Sequence, residues 1–243
     1  EDASINSVNI GKGANSVSNN TVLGLSALDA SVTGNFNTAI GSAALTDLTS
    51  GSQNTAVGYN AGGNITTANF NTFIGSTAGA NATSGSNNTG IGQSALTQCT
   101  TGTNNTVVGR NAMPLLTEGT TNTGMGSQVF ASLTTGDSNV AIGYAAGDAI
   151  TTASNNTCVG SASLSSCTTG TANVAVGLNS LNAATTANNN TAVGTNCMKL
   201  TTTGSQNTAV GEDALLTNTT GGQNVAMLHY LMLCMLHQYY WHL

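Results

Sequence analysis

The sequence predicts an all-β fold: a single-chain β-solenoid, or β-roll, of about thirteen seventeen-residue coils stacked into an elongated rod. Three observations predict it. An asparagine recurs every seventeen residues, at Asn20, Asn37, Asn54, Asn71, Asn88, Asn105, Asn122, Asn139, Asn156, Asn173, Asn190, Asn207 and Asn224, without insertion or deletion. Three residues after each stands an apolar residue, and one further on a glycine in twelve of the thirteen units. A register this strict means one structural unit copied, so function belongs to an array.

With the asparagine as position 1, the best-preserved units give N-T-A-V-G-x-x-A-L-x-x-x-T-T-G-x-x. Asn at 1 is read as a ladder of side-chain amides, each able to donate to and accept from the next. Position 4 is an unbroken apolar column from Leu23 to Met227 and is expected to face inward. Gly at 5 fits a corner with positive φ or a close backbone approach. Position 8 is mostly Ala and position 9 is Leu, Met or Phe except at Gly62, Gly79 and Gly147, which suggests a thin interior. Thr-Thr-Gly at 13 to 15 adds β-branched residues and a second turn, so each unit reads as two short strands and two corners.

Other repeat architectures fit poorly. Seventeen residues with two or three turn formers leave no room for paired helices, and leucine-rich repeats need 20 to 29 residues on a frame that is missing. A coil with only two to four apolar side chains does not fold alone, so stability must grow with stacking and the ends must be special. At a spacing of about 4.8 Å per coil the rod is roughly 60 Å long.

Only 5% of the 243 residues are charged and the net charge is −6. Lys12, Arg110 and Lys199, widely separated, are the only basic residues besides histidine, which argues against nucleic acid as a partner. Solubility therefore falls to Asn, Thr, Ser and Gly. Cys99, Cys158, Cys167, Cys197 and Cys234 follow no disulfide spacing. Cys99 and Cys167 share position 12 but lie four coils apart, about 19 Å, too far to bridge, and are read as small core residues. Asn-x-Ser/Thr sequons begin at Asn19, Asn64, Asn81, Asn87, Asn104, Asn155, Asn189 and Asn218, at repeat positions 11, 12 or 17. They are candidate glycosylation sites on outer corners. No signal peptide is visible, so the chain is expected to begin after processing.

Both ends break the pattern. Residues 1–19 read as a cap or junction, with Ile10-Gly11-Lys12-Gly13-Ala14 resembling a shorter coil. The array covers 20–227. Residues 228–243 hold all three histidines, the only tryptophan and three of the five tyrosines. They read as a hydrophobic cap or docking segment, or as sequence from an altered frame. They fall short of the ~20 apolar residues of a membrane span. His229 and His237, eight apart, would share one helical face, but no metal site is expected there.

No catalytic chemistry is legible. The acids Asp29, Asp47, Glu118, Asp137, Asp148, Glu212 and Asp213 form no column, and the array from 20 to 223 has no histidine to activate its hydroxyls. No calcium nonapeptide, P-loop or zinc spacing occurs. The expectation is a protein that is not an enzyme and holds no cofactor or metal.

The motifs N-T-A-V-G-x-x-A-L and N-T-A-I-G-x-x-A resemble the head repeats of trimeric autotransporter adhesins, whose N-S-V-A-I-G-x-x-A units form left-handed β-rolls. They look still more like the seventeen-residue repeats of phage and bacterial tail-fibre-like surface proteins, with Asn71 to Asn87 a close match. The resemblance covers about residues 20 to 227, and the seventeen-residue period departs from the adhesin pattern. It implies an extracellular or cell- or virion-surface structural protein, the shaft of a fibre, filament or tail fibre. The chain's partner would then be itself, as a trimer or a head-to-tail filament, with cell-surface glycan as a further candidate. The alternative is a module that binds a repetitive surface, glycan or ice, through its Thr columns.

Overall fold

The computed structural model describes residues 3–6 and 8–227. The expectations for residues 228–243, with His229, His237 and Cys234, lie outside them. Fifteen short strands form one sheet in strict sequence order. Strand β1 (Ala3–Ile5) pairs antiparallel with β2 (Val8–Gly11), which pairs antiparallel with β3 (Thr21–Gly24). From β3 onward all pairing is parallel, through β4 (Thr38–Ile40) to β15 (Val225–Met227). Every parallel register is offset by seventeen residues, as in Thr21↔Thr38 and Thr208↔Val225. The fold is a β-solenoid of twelve complete coils from Asn20 to Gln223; the thirteenth unit contributes only β15 among the described residues.

Each coil contains one three- or four-residue strand beginning at position 2, where two residues, mostly β-branched, flank one that is small in most coils. The second strand expected at Thr-Thr does not form. Position 13 does pair between coils, with Thr49 N–H donating to Thr66 O (2.9 Å) and the Thr49 hydroxyl to the same oxygen (2.9 Å). The chain then bends at once, so a single residue is bridged and no strand develops.

The position 4 column does not face inward. Strand side chains alternate, and the buried members here are positions 1 and 3. Val22, Ala39, Ala56, Phe73 and Val107 at position 3 are buried. Leu23, Ile74, Met125 and Ile142 at position 4 are 38 to 51% exposed, Met227 at the end of the column is 69% exposed, and the other coils hold it half-buried. Period two puts an aliphatic residue outside because an asparagine three residues earlier is inside.

The core is filled instead by positions 3, 8, 9, 12 and 15. Position 12 is a buried column of Leu48, Ile65, Ala82, Cys99, Leu116, Leu133, Ile150, Cys167, Ala184 and Thr201. Side-chain volumes compensate between coils. Phe73 lies where a Cβ on Gly79 would come within 2.6 Å of the ring and one on Gly90 within 3.0 Å. Phe130 fills the space beside Gly147 in the same way, with 2.7 Å to a Cβ there. The glycines that interrupt position 9 are thus room for neighbouring rings.

Position 5 is a corner for two reasons. Its glycines have φ between +124° and +158°, and from Gly24 to Gly194 a Cβ would run into the backbone of the next coil's position 5. Three further corners per coil, at positions 7, 9 and 17, are left-handed and mostly not glycine, as at Asn60, Leu45 and Gln53 (φ 52°, 50° and 59°). At the N-terminal end the chain does not form a shorter parallel coil. The β1–β2 hairpin reverses direction, and Ala14–Ser16 lies over the first coil, with Ala14 N–H donating to Leu28 O (3.1 Å) and Asn15 Nδ2 to Val32 O (3.1 Å).

Candidate functional surfaces

The asparagine column is internal from Asn20 to Asn207. In each inner coil its side chain bonds in two directions. Asn122 Nδ2 donates to Gly136 O of its own coil at 2.8 Å, closing the coil between positions 1 and 15. Its Oδ1 accepts the backbone N–H of Asn139 in the next coil at 3.0 Å and also Asn139 Nδ2 at 3.1 Å. Asn37, Asn54, Asn88, Asn105, Asn139, Asn156, Asn173, Asn190 and Asn207 repeat the pattern, and Asn71 repeats it except that its Oδ1 accepts only the Asn88 N–H. Asn20 Nδ2 reaches Gly34 O, and Asn224 donates its N–H to Asn207 Oδ1. No other side chain matches this geometry: it needs one acceptor and one donor on a short stem.

A second ladder runs outside, at position 16. Ser52 N–H donates to Asn69 Oδ1 (2.8 Å), Asn69 N–H to Ser86 Oγ (3.0 Å), and Asp137 N–H to Ser154 Oγ (2.9 Å). The position 13 threonines form a third, each hydroxyl donating to the carbonyl of the threonine seventeen residues on, as in Thr100 to Thr117 and Thr134 to Thr151.

The sequon asparagines divide by position. Asn19, Asn87, Asn104, Asn155 and Asn189 occupy left-handed outward corners with φ from 56° to 67° and are exposed. Asn64 is exposed and donates through Nδ2 to Asn81 Oδ1 (3.1 Å), so these two are tied to each other. Asn218 folds back on its own turn, donating to Gly221 O and accepting from Gly221 N–H.

Cys99, Cys158, Cys167 and Cys197 are free and fully buried, all at inward positions. Burial pushes the Cys99 thiol up to about 12 and those of Cys167 and Cys197 up to about 11. Thiols held protonated in this way are packing groups, not nucleophiles. No group of three or more His, Cys, Asp or Glu placed to hold a metal occurs among the described residues, and none of their helices is long and apolar enough to cross a membrane.

Asp148 Oδ1 is the one buried side-chain nitrogen or oxygen left without a hydrogen-bond partner among the described residues. At position 10 the polar side chains of other coils donate to the position 7 carbonyl of the preceding coil: Thr46 to Ser26 O (3.0 Å), Thr97 to Thr77 O (3.4 Å) and Asn182 to Ala162 O (3.1 Å). An ionised carboxylate has no proton to give there. Burial raises the Asp148 carboxyl above its ordinary value, partly offset by backbone N–H groups. A raised folded value means stability that is present at low pH and lost as pH rises through it. Asp148→Asn is therefore expected to raise stability at pH 7 by about 1 kcal/mol, the worth of one hydrogen bond. The gain should shrink as thermal melts are repeated towards pH 3; a gain equal at both pH values would count against this account.

In comparisons with protein-family models, curated proteins and solved structures, the chain matches none.

Proposed function

We propose that this chain is an extracellular structural protein, the shaft of a surface fibre, filament or phage-like tail fibre built from copies of itself. The observation that carries the reading is the uninterrupted parallel sheet from β3 to β15, locked by the buried amide ladder through every coil. Such a rod meets pulling force with rows of hydrogen bonds shared between coils, and each coil is stable only on its neighbours. The scarcity of charge and of irregular loops suits resistance to proteases. The likeness of N-T-A-V-G-x-x-A-L to adhesin-head and tail-fibre repeats supports the same reading.

Electron microscopy of the native protein tests it. Elongated particles or fibres longer than one rod of about 60 Å are expected; isolated compact monomers at every concentration would overturn it.

A second reading, binding to a repetitive surface such as glycan or ice, has one observation in its favour: position 2 is a threonine in ten of thirteen units and lies on the outer strand face. Position 13 serves that role poorly because its hydroxyls already donate to the next coil. Thermal hysteresis in the purified protein would favour this second reading over the first.

A further inference from the structure

The outward face of the strands differs from the other outward rows in carrying an unbroken aliphatic column. Its two columns, positions 2 and 4, contain only Thr and Val at the first and Leu, Ile, Val and Met at the second. All ten charged side chains among the described residues stand elsewhere. Asp29, Asp148 and Lys199 are at position 10, for example, and Glu118 is at position 14. Exposed faces of soluble proteins ordinarily mix charges of both signs, which discourages association. This one has none across thirteen strands. The aliphatic column is 44% exposed at Leu23, 51% at Met125 and 40% at Ile142. Exposed Tyr59 and Tyr144 follow two residues after it in their coils.

We propose that this strand face docks against the same face of a second copy of the chain, which rests on the reading of the protein as a self-assembling shaft. Three arguments select that occupant. The accessible area of the two columns is on the order of 1,000 Å² per copy, beyond the ~800 Å² per partner of a specific interface. The aliphatic half of it is one unbroken row through thirteen coils, and contiguous exposed apolar surface marks an interaction site. The apolar row also has one side chain per strand spacing of about 4.8 Å along the whole rod. To cover it end to end a partner must present knobs and hollows at the same pitch, and a second copy does so without adjustment. The other long outward rows fit worse: positions 13 and 16 have their polar groups committed between coils.

Sedimentation velocity of the full chain over a hundred-fold concentration range tests the proposal. It compares wild type with Ile74→Lys/Ile142→Lys on the face and Thr101→Lys/Thr186→Lys at exposed position 14. The wild type and the position 14 variant are expected to sediment as dimers or larger, and the face variant to dissociate at least ten-fold more readily with the same circular dichroism spectrum. If the lysine pair fails to fold, Ile74→Thr/Ile142→Thr, which keeps a β-branched residue, takes its place with the same expectation. A face variant that assembles like wild type overturns this interface while leaving the fibre reading standing. A wild type that stays monomeric at every concentration overturns both. A monomer that binds phosphatidylcholine vesicles through this face assigns the face to lipid and also overturns the proposal.

Discussion

Asn122→Ala is expected to destabilise the rod by about 4 kcal/mol, with two buried backbone groups orphaned at about 1–3 kcal/mol each. The Gly136 carbonyl loses the amide that reaches it at 2.8 Å, and the Asn139 N–H loses its acceptor at 3.0 Å. Water cannot replace either partner, because Asn105, Asn122 and Asn139 are all fully buried. Asn122→Asp should cost more at neutral pH. Its carboxylate can still accept from Asn139 but offers no hydrogen to Gly136 O and brings a charge inside. The control is Thr123→Ala, one residue along on the outer face, for which a change within about 0.5 kcal/mol is expected. Denaturant melts followed by circular dichroism give the comparison. A midpoint for Asn122→Ala no lower than that for Thr123→Ala would mean that the ladder is an ornament of the register and not what holds it.

The parts of the fold legible in the sequence were those that a strict period exposes. A column of asparagines with no variation, and glycines at position 5, announce positions where one side chain alone fits. The structure places both at contacts between coils. The sidedness of the strand was not legible by hydrophobicity alone. Position 4 is the most consistently apolar column and yet lies outside, while position 12 mixes Leu, Ile, Ala, Cys and Thr and lies inside. Alternation was the available signal: if Asn at 1 is internal, 3 is internal and 4 is not. Apolar residues outside are common in proteins; a buried amide column is the rarer fact and should have set the phase.

The corners show the same limit from another side. Leu28, Leu45, Leu96, Leu164 and Leu181 at position 9 are fully buried in the left-handed region, with φ of 49° to 52°. Leucine gives no hint of that conformation, which L-residues reach at a cost of roughly 1–2 kcal/mol. The hint was in the exceptions, since Gly62, Gly79 and Gly147 replace leucine at the same position with φ of 57° to 62°. A residue swapped for glycine within a repeat marks a corner even where the consensus residue conceals it. The candidate surfaces were partly legible for a related reason. Five of the eight sequons fall on one outward corner, whereas the apolar docking face emerges only once the phase of the strand is known.

Gly126→Ala should have the second large effect, and it should change the shape of unfolding as well as the midpoint. Gly126 has φ of 137°, and a Cβ there would stand 2.5 Å from Gly143 O and 2.8 Å from Gly143 C in the next coil. Relief requires moving the backbone of two coils that are hydrogen-bonded through this corner, with Gly126 N–H donating to Val108 O at 2.8 Å and Gly143 N–H to Met125 O at 2.9 Å. The strain of an L side chain at that φ adds to the clash, for a total of about 4 kcal/mol. Gly102→Ala supplies the contrast. Its Cβ would also be tight, 2.6 Å from Gly119 O, but its φ is ordinary and the same column already carries buried Ala68, Ala153 and Ala187. A cost below about 1.5 kcal/mol is expected there, as for a tolerated small overpacking. In a one-dimensional stack a weakened junction lets the two sides melt separately. Gly126→Ala is expected to turn a single thermal transition into two, for the coils before Asn139 and those from Asn139 onward. Limited proteolysis at the lower transition should cut near that junction. A single transition shifted no further than that of Gly102→Ala would show that the corner yields, and that glycine is kept at position 5 for some reason other than the approach of the next coil.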